Sequence, residues 1–171
     1  MSDSKKFSRF YLSMCGACDL GHNKNFITPN VCIGDGDSSY EPFQVVVNAN
    51  FPPNRIGSGQ IGRREECVYN HSCTLYLIGM CDHDSEPLDV YLNYIIPRLK
   101  KKYEENPKTK FLFHCFAGKS RSVSLALGFL VEVMDMSFED ALLLVKEKRP
   151  IIEPRAKFID TLRERYSNKT K

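Results

Sequence analysis

"KFLFHCFAGKSRSVSLALGFL", Lys110–Leu130, holds the pattern that decides the fold. "KFLFHC" is short and almost continuously apolar, which marks a strand buried on both faces in a parallel sheet. Phe116 to Ser120 then form a turn, and an apolar helical pattern runs from about Arg121 to Met134. A strand, a small-residue turn and a helix in that order deliver Cys115 to the carboxyl edge of the sheet. Ligands of open α/β sheets bind at that edge.

Working outward, "NVCIGDGDSSYEPF" (Asn30–Phe43) begins as a short strand and turns at Gly34 to Gly36. "FQVVVNANF" (Phe43–Phe51) is β-branched without helical period and reads as a buried strand. "PPNRIGSGQIGRREE" (Pro52–Glu66) is rich in Pro, Gly and charge and reads as a loop, and "CTLYLIGM" (Cys73–Met80) reads as a strand. Leu88, Leu92, Ile95, Leu99 and Tyr103 give the spacing of a helix, in which Pro97 is expected to cause a kink or a split. Beyond the opening stretch, helices are expected over Ser137–Lys148 and from about Pro154 to Tyr166. Ser137 and Asp140 supply an approximate capping box for the first of these. The expected fold is a single α/β domain with a central, mostly parallel sheet flanked by helices.

Composition narrows the function. A length of 171 residues suits one domain with one sizeable core. No run of 18 apolar residues predicts a membrane span, and the first residues lack the apolar core of a signal peptide. A net charge of +3 is too small to imply a nucleic-acid partner, and no basic stripe with interleaved aromatics is present. Seven cysteines, an odd number, argue for reduced thiols in the cytoplasm or nucleus. Cys115 is the one cysteine with an arginine six residues later.

That spacing has a chemical reading. Backbone N–H groups of the Phe116–Ser120 turn can converge as an anion nest, with Gly118 permitting close approach. The helix N-terminus adds partial positive charge, and the Arg121 fork can grip two phosphate oxygens at once. The same dipoles and charge favour thiolate over thiol, and the thiolate is the nucleophile. Ser122 can donate to the sulfur and help it leave in a second step, while His114 is expected to point away from substrate and brace the loop. Lys119 either steers anionic substrates or is a solvated loop lysine.

These residues resemble a known family. "HCFAGKSRS" is similar to the His-Cys-x5-Arg-Ser/Thr signature of the cysteine-dependent protein tyrosine phosphatase superfamily, in the form typical of dual-specificity protein phosphatases. "KEKRPIIEPRAKFIDTL" (Lys146–Leu162) resembles that subgroup's Arg-Pro…Pro-x-x-x-Phe-x-x-x-Leu tail, and "VVVNANFPPN" its second strand and turn. Three places depart from the pattern. Arg155 stands where the subgroup usually has Asn, "GFLV" replaces its usual Ala-Tyr-Leu-Met segment, and residues 52–72 are longer and more polar.

The resemblance implies a phosphatase domain over residues 26–167, an N-terminal extension over 1–25 and a C-terminal tail over 168–171. It implies phosphorylated proteins as substrates and a phosphocysteine intermediate, with no metal and no cofactor. Phe116, Ala117, Gly118, Lys119, Ser120 and Arg121 would form the phosphate loop. It also implies an Asp about thirty residues before the Cys. "CDHDSEP" aligns Asp84, Ser85 and Asp89 with the family's Asp-Ser-x-x-x-Asp pattern, which makes Asp84 the expected general acid and Asp82 the second candidate. The rival substrates for such a loop are RNA 5′-triphosphate and phosphoinositides. A rival of another class is a module that binds phosphorylated partners without turnover. "CGAC" (Cys15–Cys18) with His22 resembles a zinc or redox half-site, but the looser spacing of Cys67, His71 and Cys73 completes no tight pair.

Overall fold

A computed structural model describes residues 23–52, 62 and 64–167. The "CGAC" segment, most of the N-terminal extension and the tail 168–171 lie outside the described residues. Six strands form one sheet: β1 (Lys24–Phe26), β2 (Val31–Gly34), β3 (Val45–Asn48), β4 (Arg64–Tyr69), β5 (Cys73–Ile78) and β6 (Phe111–His114). Four helices accompany them: α1 (Leu88–Glu105), α2 (Arg121–Glu132), α3 (Phe138–Lys148) and α4 (Ala156–Tyr166).

The strand order is β1-β2-β6-β3-β5-β4. The four central strands pair in parallel, and β1 and β4 close the two edges antiparallel. β6, the strand of the opening stretch, lies between β2 and β3, and all four of its residues are buried. This placement follows from its sequence, since only a strand covered on both faces tolerates such a continuous apolar run.

Side-chain alternation divides the core in two. Val31, Ile33, Val45, Val47, Tyr76, Ile78, Phe111 and Phe113 face a large cluster to which all four helices contribute. Cys32, Val46, Cys73, Leu75 and Leu112 face a smaller one with Phe43, flanked by Tyr40 and Tyr69. The helices therefore cover one face, and the chain around Tyr40–Phe43 covers the other. The period of two also sends the neighbours His114 and Cys115 to different environments.

α2 sits at the centre of the helical layer, with every residue from Ser122 to Val131 buried. A helix apolar on all sides belongs inside, and this one packs on α1, α3, α4 and β6. Phe129 stacks on Phe111 at 4.7 Å, on Phe113 at 5.6 Å and edge-on to Tyr103 at 6.2 Å. At the end of α2, Glu132 accepts from Tyr166 and Arg165 of α4, and Arg165 also reaches Asp89 of α1.

Two local expectations need correction. Pro97 does not split the helix, which runs unbroken over 18 residues. Pro97 lies on the exposed face, where water can serve the carbonyl that loses its donor, and Arg98 Nη1 donates 2.7 Å to the Tyr94 carbonyl nearby. The second correction concerns Pro52–Glu66, whose last three residues are not loop but the start of β4. Arg64–Tyr69 pairs with β5 through a tight turn in which Asn70 and His71 both have positive φ. β4 is an exposed edge strand, so its charged residues carry no burial pattern to betray it. β1 includes Lys24 and Asn25, which the sequence reading groups with the N-terminal extension.

The aromatic stack gives a stability prediction. Phe129→Ala removes a fully buried ring from the middle of the helical layer. It should cost about 3–5 kcal/mol in urea unfolding, and a loss below about 1 kcal/mol would show that the layer does not depend on it.

Candidate active site

β6 ends at His114, and the chain turns through Phe116–Ser120 before α2 begins at Arg121. The turn brings Cys115, Gly118, Arg121 and Ser122 together. Gly118 has φ of +64°, and a Cβ there would lie 2.5 Å from the Gly34 carbonyl oxygen and 2.6 Å from Arg149 Nη2. Both the dihedral and the space demand glycine.

Each carbonyl of the turn finds a donor behind it. Phe116 O accepts from Gly36 N–H at 3.0 Å, and Lys119 O from Glu153 N–H at 2.9 Å. Ser120 O accepts from the N–H and the hydroxyl of Ser124, each at 2.9 Å. Gly118 O and Ala117 O accept from Nε and Nη2 of one arginine, Arg149, at 2.8 and 3.4 Å. Arg149 is completely buried and also donates to Asn25 of β1. With the carbonyls engaged outward, the N–H groups of Phe116, Ala117, Lys119 and Ser120 donate to no protein acceptor among the described residues. Such a run of unengaged donors at a helix N-terminus suits an anion.

Cys115 lies at the floor of this loop, with 2% of its surface exposed. Burial opposes ionisation of its thiol. The Arg121 guanidinium, the Ser122 hydroxyl 3.2 Å away, and the N–H groups of Ser122 and Gly118 outweigh it and hold the thiol below the usual range. By contrast, burial drives Cys32 up to about 11 against the pull of Lys24 and Arg149, and burial with nearby Cys67 drives Cys73 up to about 11. Arg121 is held by the backbone, with Nη1 donating to Ala49 O at 3.0 Å and Met80 O at 3.4 Å. Its Nε is buried and unpartnered among the described residues.

His114 turns to the other face, where its Nε2 lies 3.0 Å from Tyr40 Oη. Burial, with Arg121 nearby, pushes its pKa down to about 4, so the imidazole is neutral at neutral pH and braces the loop without adding charge. Tyr40, which also receives a 3.4 Å hydrogen bond from Asn48, was not foreseen from sequence.

The loop before α1 carries both candidate acids. Asp82 touches the loop after β6 directly, accepting from Ser120 Oγ at 2.7 Å. Asp84 is more exposed and is joined to the site through Arg155, whose Nη1 lies 3.7 Å from its carboxylate. Glu86 is buried and accepts a hydrogen bond from Tyr91, which anchors this loop to α1. Lys119 is half-buried. No group of three His, Cys, Asp or Glu side chains among the described residues is arranged to hold a metal.

Comparison with known proteins gives one consistent result. The family model described as "Dual specificity phosphatase, catalytic domain" matches residues 42–168. The chain is 39% identical over 154 residues to the tyrosine-protein phosphatase vhp-1 of Caenorhabditis elegans, covering 90% of this chain and 22% of that protein. It is 39% identical over 88 residues to human dual specificity protein phosphatase 16, covering 48% of this chain and 13% of that one. The chain thus spans less than a quarter of the length of these relatives. Among solved structures, human DUSP28 superposes with a TM-score of 0.68 at 18% identity, covering 89% of this chain and 98% of that chain, a likeness of fold.

The thiol's environment yields a direct test. Reactivity follows the thiolate, so a lowered pKa moves the rise of alkylation rate to lower pH. With peptide-resolved iodoacetamide labelling, Cys115 should react at a pH where Cys32 and Cys73 do not. Ser122→Ala should move its midpoint upward. A Cys115 midpoint at or above that of an ordinary thiol would contradict the assignment.

Proposed function

The chain belongs to the family of dual-specificity phosphatase catalytic domains, and from that premise we propose that it hydrolyses phosphotyrosine and phosphoserine/threonine on proteins through a phosphocysteine. The observation that carries this reading is the buried thiol that Arg121 and Ser122 favour as thiolate beneath a ring of unengaged backbone donors.

The steps follow from those groups. A phosphate dianion binds the loop N–H groups and the Arg121 fork, which also stabilise the charge on the equatorial oxygens during transfer. Cys115 Sγ attacks phosphorus in line. The S–P bond forms, the ester P–O bond breaks, and Asp84 passes its proton to the leaving oxygen. Water then attacks the phosphocysteine, giving its proton to the Asp84 carboxylate. The S–P bond breaks, and Ser122 Oγ stabilises the departing thiolate.

Asp84 is preferred over Asp82 on availability. Asp82 Oδ1 is engaged by Ser120 Oγ and lies 3.3 Å from Arg155 Nε. The Asp84 carboxylate has its 3.7 Å contact with Arg155 Nη1 and, among the described residues, no hydrogen bond that would keep it from turning toward a leaving oxygen. Phosphorylated proteins are the proposed partners, and no helix among the described residues is long and apolar enough to cross a membrane.

The test compares wild type, Cys115→Ser, Asp84→Asn and Asp82→Asn on p-nitrophenyl phosphate, phosphotyrosine and phosphoserine peptides, an RNA 5′-triphosphate and a phosphoinositide. Cys115→Ser should abolish turnover. Asp84→Asn should slow the phosphoserine peptide by about 10²-fold or more and the activated aryl ester far less, while Asp82→Asn should slow the phosphoserine peptide less than Asp84→Asn does. Preference for RNA or lipid would redirect the substrate class. Phosphopeptide binding without turnover of any of these substrates would make the protein a binding module.

A further inference from the structure

Arg155 holds the N-cap position of α4 and does not act as a cap. Short polar residues are favoured there because they can accept from the first free N–H groups of a helix. The Arg155 side chain makes no such bond. Its guanidinium leaves the helix and crosses to the acid loop. Nε donates 2.7 Å to the Asp82 carbonyl oxygen and lies 3.3 Å from the Asp82 carboxylate, and Nη1 lies 3.7 Å from that of Asp84. The Arg155 backbone N–H donates to Ser120 Oγ at 3.3 Å, and that hydroxyl donates onward to Asp82 at 2.7 Å.

Three segments distant in sequence are thereby closed into one ring. The phosphate loop enters through Ser120, the acid loop through Asp82 and Asp84, and α4 through Arg155. Ion pairs as exposed as these add little to stability, and α4 is already seated by buried Phe158, Leu162 and Tyr166. Asp82, His83, Asp84 and Ser85 are all exposed; His83 and Ser85 bond to each other and His83 O accepts from Glu86 N–H within the turn, and the ring is what ties this turn to the loop after β6. A residue that breaks its local rule beside a reactive site signals a functional use.

We propose that Arg155 is a positioning residue: it latches the acid loop to the phosphate loop and sets how well the site handles esters whose leaving oxygen must be protonated. The inference rests on the reading of Asp84 as proton donor. A donor displaced by even an ångström transfers its proton poorly. A leaving group stable as an anion tolerates that displacement, and an alkoxide does not.

The test uses wild type, Arg155→Gln and Arg155→Lys on p-nitrophenyl phosphate and a phosphoserine peptide, with hydrogen–deuterium exchange over residues 81–87. Arg155→Gln should lower kcat on the phosphoserine peptide at least about tenfold more than on the aryl ester, with KM for the peptide changed less than about twofold. Arg155→Lys should recover part of the loss, because it restores the charge without the fork. Exchange over 81–87 should accelerate in Arg155→Gln while α2 and α4 stay protected. Equal losses on both substrates, or a change confined to KM, would overturn the latch, as would unchanged exchange over 81–87. The exchange readout stands apart from catalysis. A wild type without turnover together with accelerated exchange would refute the phosphatase reading and leave the latch standing.

Discussion

One buried guanidinium carries the site. A turn that gathers its N–H groups inward must direct its carbonyls outward, and buried carbonyls without donors are costly. Arg149 answers two of them, those of Ala117 and Gly118, from a position with no solvent exposure. Its planar fork lets one side chain serve both carbonyls and Asn25 on the edge strand as well. Gly36, Glu153 and Ser124 complete the set. The loop is therefore held from behind, with its donors already oriented inward before any anion binds.

The electrostatics follow from that scaffold. A thiol as deeply buried as Cys115 would ordinarily resist ionisation, as Cys32 and Cys73 do. Cys115 differs in having Arg121 and Ser122 beside it, both placed by the first turn of α2. Arg121 in turn is oriented by carbonyls just beyond β3 and β5. His114, kept neutral by burial, adds no competing charge. Sheet edge, helix start and loop thus act together on a single sulfur.

What the sequence disclosed, and what it hid, divide along a physical line. β6 and α2 were legible because burial on all sides leaves a continuous apolar signature, and Cys115, Gly118, Arg121 and Ser122 were legible because their spacing within one turn is itself the geometry. β4 was not, since an exposed edge strand such as "REECVY" has no alternation to read. Pro97 misled because helix rules assume the lost carbonyl partner matters, and on a wet face it matters less. Arg149 was visible as the Arg of the Arg-Pro tail motif, but nothing local showed that it is among the most buried of the described side chains. The contacts of Arg149 with Gly118 and of Arg155 with Asp82 link residues 31 and 73 positions apart. Local pattern carries no trace of such pairs, so the position of Arg155 was visible as a departure while its use was not.

The proposed catalysis depends on a covalent bond between Cys115 and phosphorus. Its most direct test is peptide-resolved mass spectrometry of enzyme quenched in acid during turnover of a phosphotyrosine peptide. One phosphoryl group should be found on the peptide that contains Cys115, rising as substrate is consumed and absent from Cys115→Ser. Turnover at the wild-type rate with no phosphoryl group ever found on Cys115 would contradict it.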